Sequence, residues 1–386
     1  MLFDPTSPAN KFGYFKAGEH FKSYSQFETQ EYAAKTGNTV EWNFNDEFFS
    51  TIDWTVEPTE SLKELYAERA RQIRNDYDYI VLSFSGGSDS QNILATFLEN
   101  NIYIDEILTY HFLSGVKDKF SPMASMREVT MAAVPEANRY IEKFPTTKHR
   151  LIDVAEIVRD QWQNNLNDMK FNFMYYNNFY ITPSPVVVNN LPTILTEYRR
   201  LTDSGKRVCF IHGTDKPHIQ TDRGKWWFSF HSDVIGASFS IRRQFEKTPV
   251  NDVLFYWDPD AWKIVVKQAH VLRKYLYKNH QIIKETITGK YQSVESAYLS
   301  KIHFLGNRLP VIHLKNAIYP HWRNDIVDTG KDPISLFYTT KGQWWLDSKS
   351  PGVKEYTQGA DYLVRKIGLN PASPMQNIYY SKKYYF

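Results

Sequence analysis

The stretch Ser85-Gly86-Gly87-Ser88-Asp89-Ser90 gathers hydroxyls, glycines and a carboxylate within one short turn. Glycine takes positive φ without steric cost and lets a ligand come close to the main chain, so Gly86 and Gly87 could shape a concave run of N–H groups. Ser85, Ser88 and Ser90 add hydroxyl donors. The residues that follow, Gln91 to Asn100, read as a helix, whose N-terminus supplies further unsatisfied N–H groups and a partial positive charge. The chemistry this suits is holding phosphate. Asp89 repels phosphate directly, so its natural role is to hold Mg²⁺, which then bridges to the phosphate oxygens. The Gly-Lys-Ser/Thr ending of a Walker A loop is missing.

Four other segments carry reactive or charged side chains. In Phe210-Ile211-His212-Gly213-Thr214-Asp215-Lys216-Pro217, Gly213 and Asp215 could approach phosphate or metal and Lys216 could neutralise phosphate charge; a capped turn with a surface lysine is the plainer alternative. Asp222-Arg223-Gly224-Lys225 followed by Trp226-Trp227-Phe228 has the form of a hairpin turn and strand, from which Arg223 or Lys225 could reach a substrate. On a helix spanning 260–278, Lys263, Lys267, His270, Lys274 and Lys278 fall on one narrow arc, opposite the apolar stripe of Val265, Ala269, Leu272 and Leu276. That ridge could meet pyrophosphate, an acidic substrate or a nucleic-acid backbone, with Lys267 and His270 its first candidates, or it could be a solvated face. The tail from Tyr379 to Phe386 mixes aromatics with lysines, which could stack on bases but more simply packs as an edge segment.

The elements that must position these groups alternate. Ser61 and Glu64 have capping-box spacing ahead of a helix over 60–75. Tyr79-Ile80-Val81-Leu82-Ser83-Phe84 reads as a buried strand ending at the two glycines. Further strands are expected at 104–112, 149–154 and 207–212, with helices at 126–144 (interrupted by Pro135) and 189–204. Strand–helix alternation implies an α/β fold, a parallel sheet flanked by helices and joined by right-handed crossovers. Ligands of such sheets bind at the carboxyl ends of the strands, where both the 85–90 loop and the 213–216 segment would fall. The expected division is an N-terminal accessory region over 1–58, a central domain carrying the 85–90 loop over 59–245 and an α-rich, substrate-selecting C-terminal module over 246–386.

The loop and its approach, Ile80-Val81-Leu82-Ser83-Phe84-Ser85-Gly86-Gly87-Ser88-Asp89-Ser90, resemble the Ser-Gly-Gly-x-Asp-Ser signature of the PP-loop ATP pyrophosphatases, including asparagine synthetase-like and phosphoadenylylsulfate reductase-like members. The resemblance is sharp over 80–94 and extends to about half the chain. It implies an adenine nucleotide alpha hydrolase-like fold, with ATP and Mg²⁺ at the loop and adenine along the ends of the first two parallel strands, here at Phe84 and His111. It also implies cleavage of ATP to AMP and pyrophosphate, adenylation of a substrate oxygen, and transfer of an amine or similar nucleophile to that substrate. Two other readings stand beside it: binding of a phosphoadenylylsulfate-type nucleotide in the same fold, and a non-catalytic, nucleotide-gated module that docks nucleic acid.

Composition limits the choices. Leu2 rather than Cys follows Met1, so no N-terminal cysteine glutaminase is expected, and nitrogen for an amidation is expected from ammonia, an amine or another chain. Cys209 is the single cysteine, so an intrachain disulfide, a four-cysteine zinc site and a Cys-x-x-Cys redox pair are all excluded, and the reductase and thiolation mechanisms lack their cysteines. A net charge of +3 is weaker than that of a dedicated nucleic-acid-coating protein. No signal-peptide pattern or membrane-length apolar run is seen, so a cytoplasmic location and no membrane partner are expected. The acceptor, a small molecule or a nucleic acid, has no signature in the sequence.

Overall fold

The computed structural model describes residues 3, 11, 13–23, 26–111, 129–153, 195–213, 216–222, 224–231, 251–278, 317–321 and 381–386. The N-terminal part forms a small antiparallel sheet, β1 (Tyr14–Ala17), β2 (Phe21–Ser23) and β3 (Val40–Asn43) in the order β2-β1-β3, with α1 (Gln26–Thr36) and the short α2 (Asp46–Phe49). Phe15, Trp42, Phe44, Phe49 and Trp54 of this part sit in the same apolar cluster as the strands and helices that follow. The segment expected to be an accessory layer over 1–58 is therefore continuous with the main core.

Next come α3 (Leu62–Asp76), β4 (Tyr79–Ser83), α4 (Ser88–Glu99), β5 (Glu106–His111), α5 (Val134–Lys143), β6 (Lys148–Asp153), α6 (Thr196–Asp203) and β7 (Val208–His212). Helix α3 starts where its capping box requires: the Ser61 hydroxyl accepts from the Glu64 amide at 3.3 Å, and the Glu64 carboxylate accepts from the Ser61 amide at 2.7 Å. The residues before Pro135 form a π-helical turn (Val129–Ala133), and α5 then begins with the proline in its first turn. There its missing N–H costs nothing. Residues 126–128 and 189–194 of the expected helices lie outside the described residues.

Strand β10 (Asn251–Leu254) completes a five-stranded, wholly parallel sheet in the order β10-β7-β4-β5-β6. Its strands alternate between two buried faces. Ile80, Leu82, Ile107, Cys209, Ile211 and Val253 join the large core with α3, α4 and α7 (Lys263–Lys278). Tyr79, Val81, Leu108, Val208 and Phe210 pack with Tyr198 of α6 on the other face. Burial on both sides explains why these strands read as unbroken apolar runs. It also places Cys209 deep in the core, where burial pushes its thiol well above the usual range. Beyond the boundary expected at 245/246, β10 is hydrogen-bonded into the sheet and α7 packs on α3.

A second antiparallel sheet, β11-β9-β8, is built from β8 (Lys216–Asp222), β9 (Lys225–His231) and β11 (Tyr384–Tyr385). The Asp222–Lys225 turn closes the expected hairpin, with Gly224 at φ 81°. The aromatic tail packs as an edge strand. The Tyr384 ring stacks on Trp54 at 4.7 Å, and its hydroxyl donates to Asp46 at 2.6 Å. Among the described residues no helix is long and apolar enough to cross a membrane.

One buried ion pair ties these layers together. Arg69 of α3 (4% exposed) meets Asp258 (1%) at 3.0 Å and donates to the Leu254 carbonyl at the end of β10, while Lys11 reaches Asp258 at 3.2 Å. Burial alone would raise the Asp258 carboxyl, but Arg69 and Lys11 overcome it and hold the group below its ordinary value. Removing one partner leaves a buried charge without its counter-charge. Asp258→Asn is expected to cost about 3–5 kcal/mol, read from urea unfolding at neutral pH; a loss under about 1 kcal/mol would mean that solvent compensates Arg69.

Candidate functional site

The strand order sets the location. From β4 the chain adds β5 and β6 on one side, then crosses to place β7 and β10 on the other, so the order reverses between β4 and β7. A crevice opens at the carboxyl ends of an open parallel sheet at such a point. The 85–90 loop leaves β4 on one side of it, and His212-Gly213 leaves β7 on the other.

The loop is closed by its own hydrogen bonds. Gly86 has φ 81°, a left-handed conformation that glycine adopts without strain. The Ser85 hydroxyl accepts from the Gly87 amide at 3.2 Å and lies 3.3 Å from the Ser90 hydroxyl. Ser90 in turn donates to the Gly87 carbonyl at 3.2 Å, and the Gln91 amide group donates to the Gly86 carbonyl at 2.6 Å. Helix α4 begins at Ser88, three residues earlier than the sequence suggested, with Gly87 as N-cap and no side chain capping its first turn. Ser88, Asp89 and Ser90 thus belong to the helix, where their main-chain N–H groups carry the positive end of its dipole. Ser85 is exposed, Asp89 half-buried, and Ser88 and Ser90 buried.

Gly213 meets this turn closely. A Cβ built on it would stand 3.1 Å from the Ser90 amide nitrogen, 3.1 Å from the Ile93 Cδ1 and 3.2 Å from the Asp89 carbonyl carbon. Gly213 and the first turn of α4, separate candidates in the sequence, lie side by side. His212, just before Gly213, donates from Nε2 to Asp252 of β10 at 2.7 Å. His111 and Asp153, register partners at the ends of β5 and β6, approach to 3.5 Å on the opposite side. Tyr256, just after β10, donates to the Asp89 carbonyl at 2.7 Å and accepts from Asn92 at 3.1 Å. Sequence reasoning missed Tyr256 and Asn92, because no spacing links positions so far apart in the chain.

The remaining candidates divide. Phe84 is fully buried in the large core, so any contact it makes with a nucleotide falls to its main chain, not its ring. Asp215 and Arg223 lie outside the described residues, as does the side chain of Lys216, whose main chain opens β8 opposite His231. Lys225 is exposed at the start of β9.

The ridge on α7 faces acids of the same chain. Lys263 meets Glu60 at 2.5 Å, and Lys267 and Lys274 meet Glu57 at 2.9 and 2.6 Å. Burial raises the Glu57 carboxyl, but Lys274 and Lys267 outweigh it and hold it at about 2. His270 is 1% exposed; its Nε2–H donates to the Trp54 carbonyl at 2.9 Å and its Nδ1 accepts from Arg273 at 3.0 Å. Burial lowers its affinity for a proton, and those two bonds describe the neutral ring. The residues expected to reach a substrate, Lys267 and His270, instead join α7 to the 54–60 segment.

Among the described residues no three His, Cys, Asp or Glu side chains cluster as a metal site. A cation held at Asp89 would draw its other ligands from phosphate and water, as Mg²⁺ commonly does. No protein-family model matches the chain, and no curated protein matches it.

Two outcomes follow from this geometry. Gly213→Val must displace the first turn of α4, at a cost of about 1–3 kcal/mol; urea unfolding should show that loss, and hydrogen exchange at 88–91 should accelerate while strand β5 stays protected. Glu57→Gln should cost about 1 kcal/mol at pH 7. A carboxylate held down in the fold stabilises fully above its unfolded value of 4.5 and loses that contribution as pH falls towards about 2, so the wild-type and variant stabilities should converge across that window. A gap that persists at pH 2 would mean packing, not charge, is responsible.

Proposed function

We propose that the protein binds Mg·ATP at the 85–90 loop and is an ATP-dependent, AMP-forming enzyme. The observation that carries this reading is the closure of Gly213 on the Ser90 amide, which brings two loops together around a helix N-terminus at the strand-order reversal. The first-turn amides of α4 and the Ser85 hydroxyl bind phosphate oxygens, and Gly86 and Gly87 keep that surface free of side chains. Asp89 holds Mg²⁺, which supplies charge neutralisation at the phosphates. The residues donate hydrogen bonds to the departing pyrophosphate in a geometry formed in advance, so catalysis rests on positioning and electrostatic stabilisation. The substrate oxygen attacks the α-phosphorus, the bond to the β-phosphate oxygen breaks, and pyrophosphate leaves; an amine or similar nucleophile then displaces AMP.

The phosphoadenylylsulfate reading shares this loop and gains no separate support from the described residues. The nucleic-acid reading gains no support from the ridge, where Lys263, Lys267 and Lys274 are each paired with Glu60 or Glu57.

Calorimetric titration with Mg·ATP tests the proposal. Wild type should bind, and Asp89→Ala should weaken binding about tenfold or more, while phosphoadenylylsulfate should compete poorly. Turnover with a pool of carboxylate and amine acceptors should release AMP and pyrophosphate; release of ADP and phosphate alone would refute the assigned bond cleavage.

A further inference from the structure

Residues 317–321 are far from the loop in sequence but are fastened against its helix. Tyr66 of α3 donates to the Ile318 carbonyl at 2.6 Å, and Gln268 of α7 donates to that same Tyr66 hydroxyl at 3.0 Å. Beyond Tyr319, the His321 amide donates to the Asn92 side-chain carbonyl at 3.3 Å, and the His321 ring meets Glu99 at 2.8 Å. The strap is held on both sides of Tyr319, at one end by α3 and α7 and at the other by α4.

Tyr319 between these fastenings is 1% exposed. Its ring lies 5.2 Å from that of Tyr256, the residue that donates to the Asp89 carbonyl. Its hydroxyl has no hydrogen bond of good geometry among the described residues. Burial raises the phenol well above its ordinary value, and the Asp89 carboxylate, near enough to attract the hydroxyl hydrogen although the pair falls short of hydrogen-bond geometry, raises it further. A buried hydroxyl left without a bond costs about 1–3 kcal/mol. The neighbouring donors Tyr66 and Tyr256, buried as deeply, are both satisfied. Apolar phenylalanine would fill the same space without that cost, so a tyrosine here calls for a state in which its hydroxyl is used.

We infer that Tyr319 is a positioning residue for Asp89: its hydroxyl donates to the Asp89 carboxylate once Mg·ATP occupies the loop, fixing one carboxylate oxygen while the other faces the metal. This rests on the reading of the loop as an Mg·ATP site and deepens it. The strap of residues 317–321 joins the nucleotide site, and Tyr319 acts on the metal through Asp89, not on the reacting phosphate.

The test uses the full chain and the Tyr319→Phe variant, titrated with Mg·ATP and with ATP in the presence of EDTA, alongside thermal unfolding of the ligand-free protein. Mg·ATP affinity should fall roughly tenfold, metal-free ATP affinity should stay at the wild-type value, and the ligand-free Tm should stay equal or rise. Wild-type affinity for Mg·ATP in Tyr319→Phe, with Asp89→Ala still impaired, would overturn the role of Tyr319 and leave the loop assignment standing. A lowered ligand-free Tm would overturn it too, since the hydroxyl would then already be bonded in the resting fold. Wild type that binds neither form of ATP would remove the loop assignment and this inference together.

Discussion

The approach of Gly213 to the first turn of α4 is the constraint around which the carboxyl edge of the sheet is arranged. Strand β7 lies beside β4, so the chain leaving β7 must pass the N-terminus of the helix leaving β4. The clearance there is about one hydrogen atom in place of a methyl group: a Cβ would sit 3.1 Å from an amide nitrogen that is itself fixed in a helix. That proximity keeps two loops with different sequence origins on one surface. It also sets His212 beside β10, where Asp252 orients it, and leaves Tyr256 within reach of the Asp89 carbonyl.

Rigidity at this edge is supplied from behind. The hydrogen bonds among Ser85, Gly87, Ser90 and Gln91 close the loop upon itself, so a bound phosphate would find its donors already directed. Tyr66, Tyr256, Asn92 and Gln268 form a buried polar layer that joins α3, α4, α7 and the strap. Buried polar groups that satisfy one another restrict a fold to one arrangement more than apolar packing does. Arg69 and Asp258 do the same for α3 and the end of β10, and Glu57 does so for α7. The positive charge on α7 is spent on holding the 54–60 segment, which keeps α7 in place against α3.

Much of the central fold was legible because it depends on local chemistry. The capping box at Ser61 and Glu64, the apolar run ending at Gly86, and the hairpin at 222–225 are each specified by residues within a few positions of one another. Where the reading erred, the deciding partner was either a residue without a side chain or a remote one. The start of α4 moved to Ser88 because Gly87, with no side chain to announce a cap, ends the turn. Strand β10 was invisible as part of the sheet because Asn251–Leu254 is short and its pairing with β7 is non-local. The cationic arc on α7 was read as an arc, but the pairing of Lys263 and Lys267 with Glu60 and Glu57 required the fold to bring residues about two hundred positions apart into contact.

The sequence by itself determined the α/β alternation, the strand–glycine–helix unit at 79–99 and the absence of paired-cysteine chemistry, since each is written in residue type, period or count. The tertiary structure alone decided that Gly213 closes on Ser90, that His270 is a buried neutral ring, that the N-terminal aromatics share the main core, and that Tyr319 packs against Tyr256. The reason is physical: backbone propensity and capping act over a few residues, whereas the contacts that assemble this edge of the sheet depend on strand order, which no local pattern encodes.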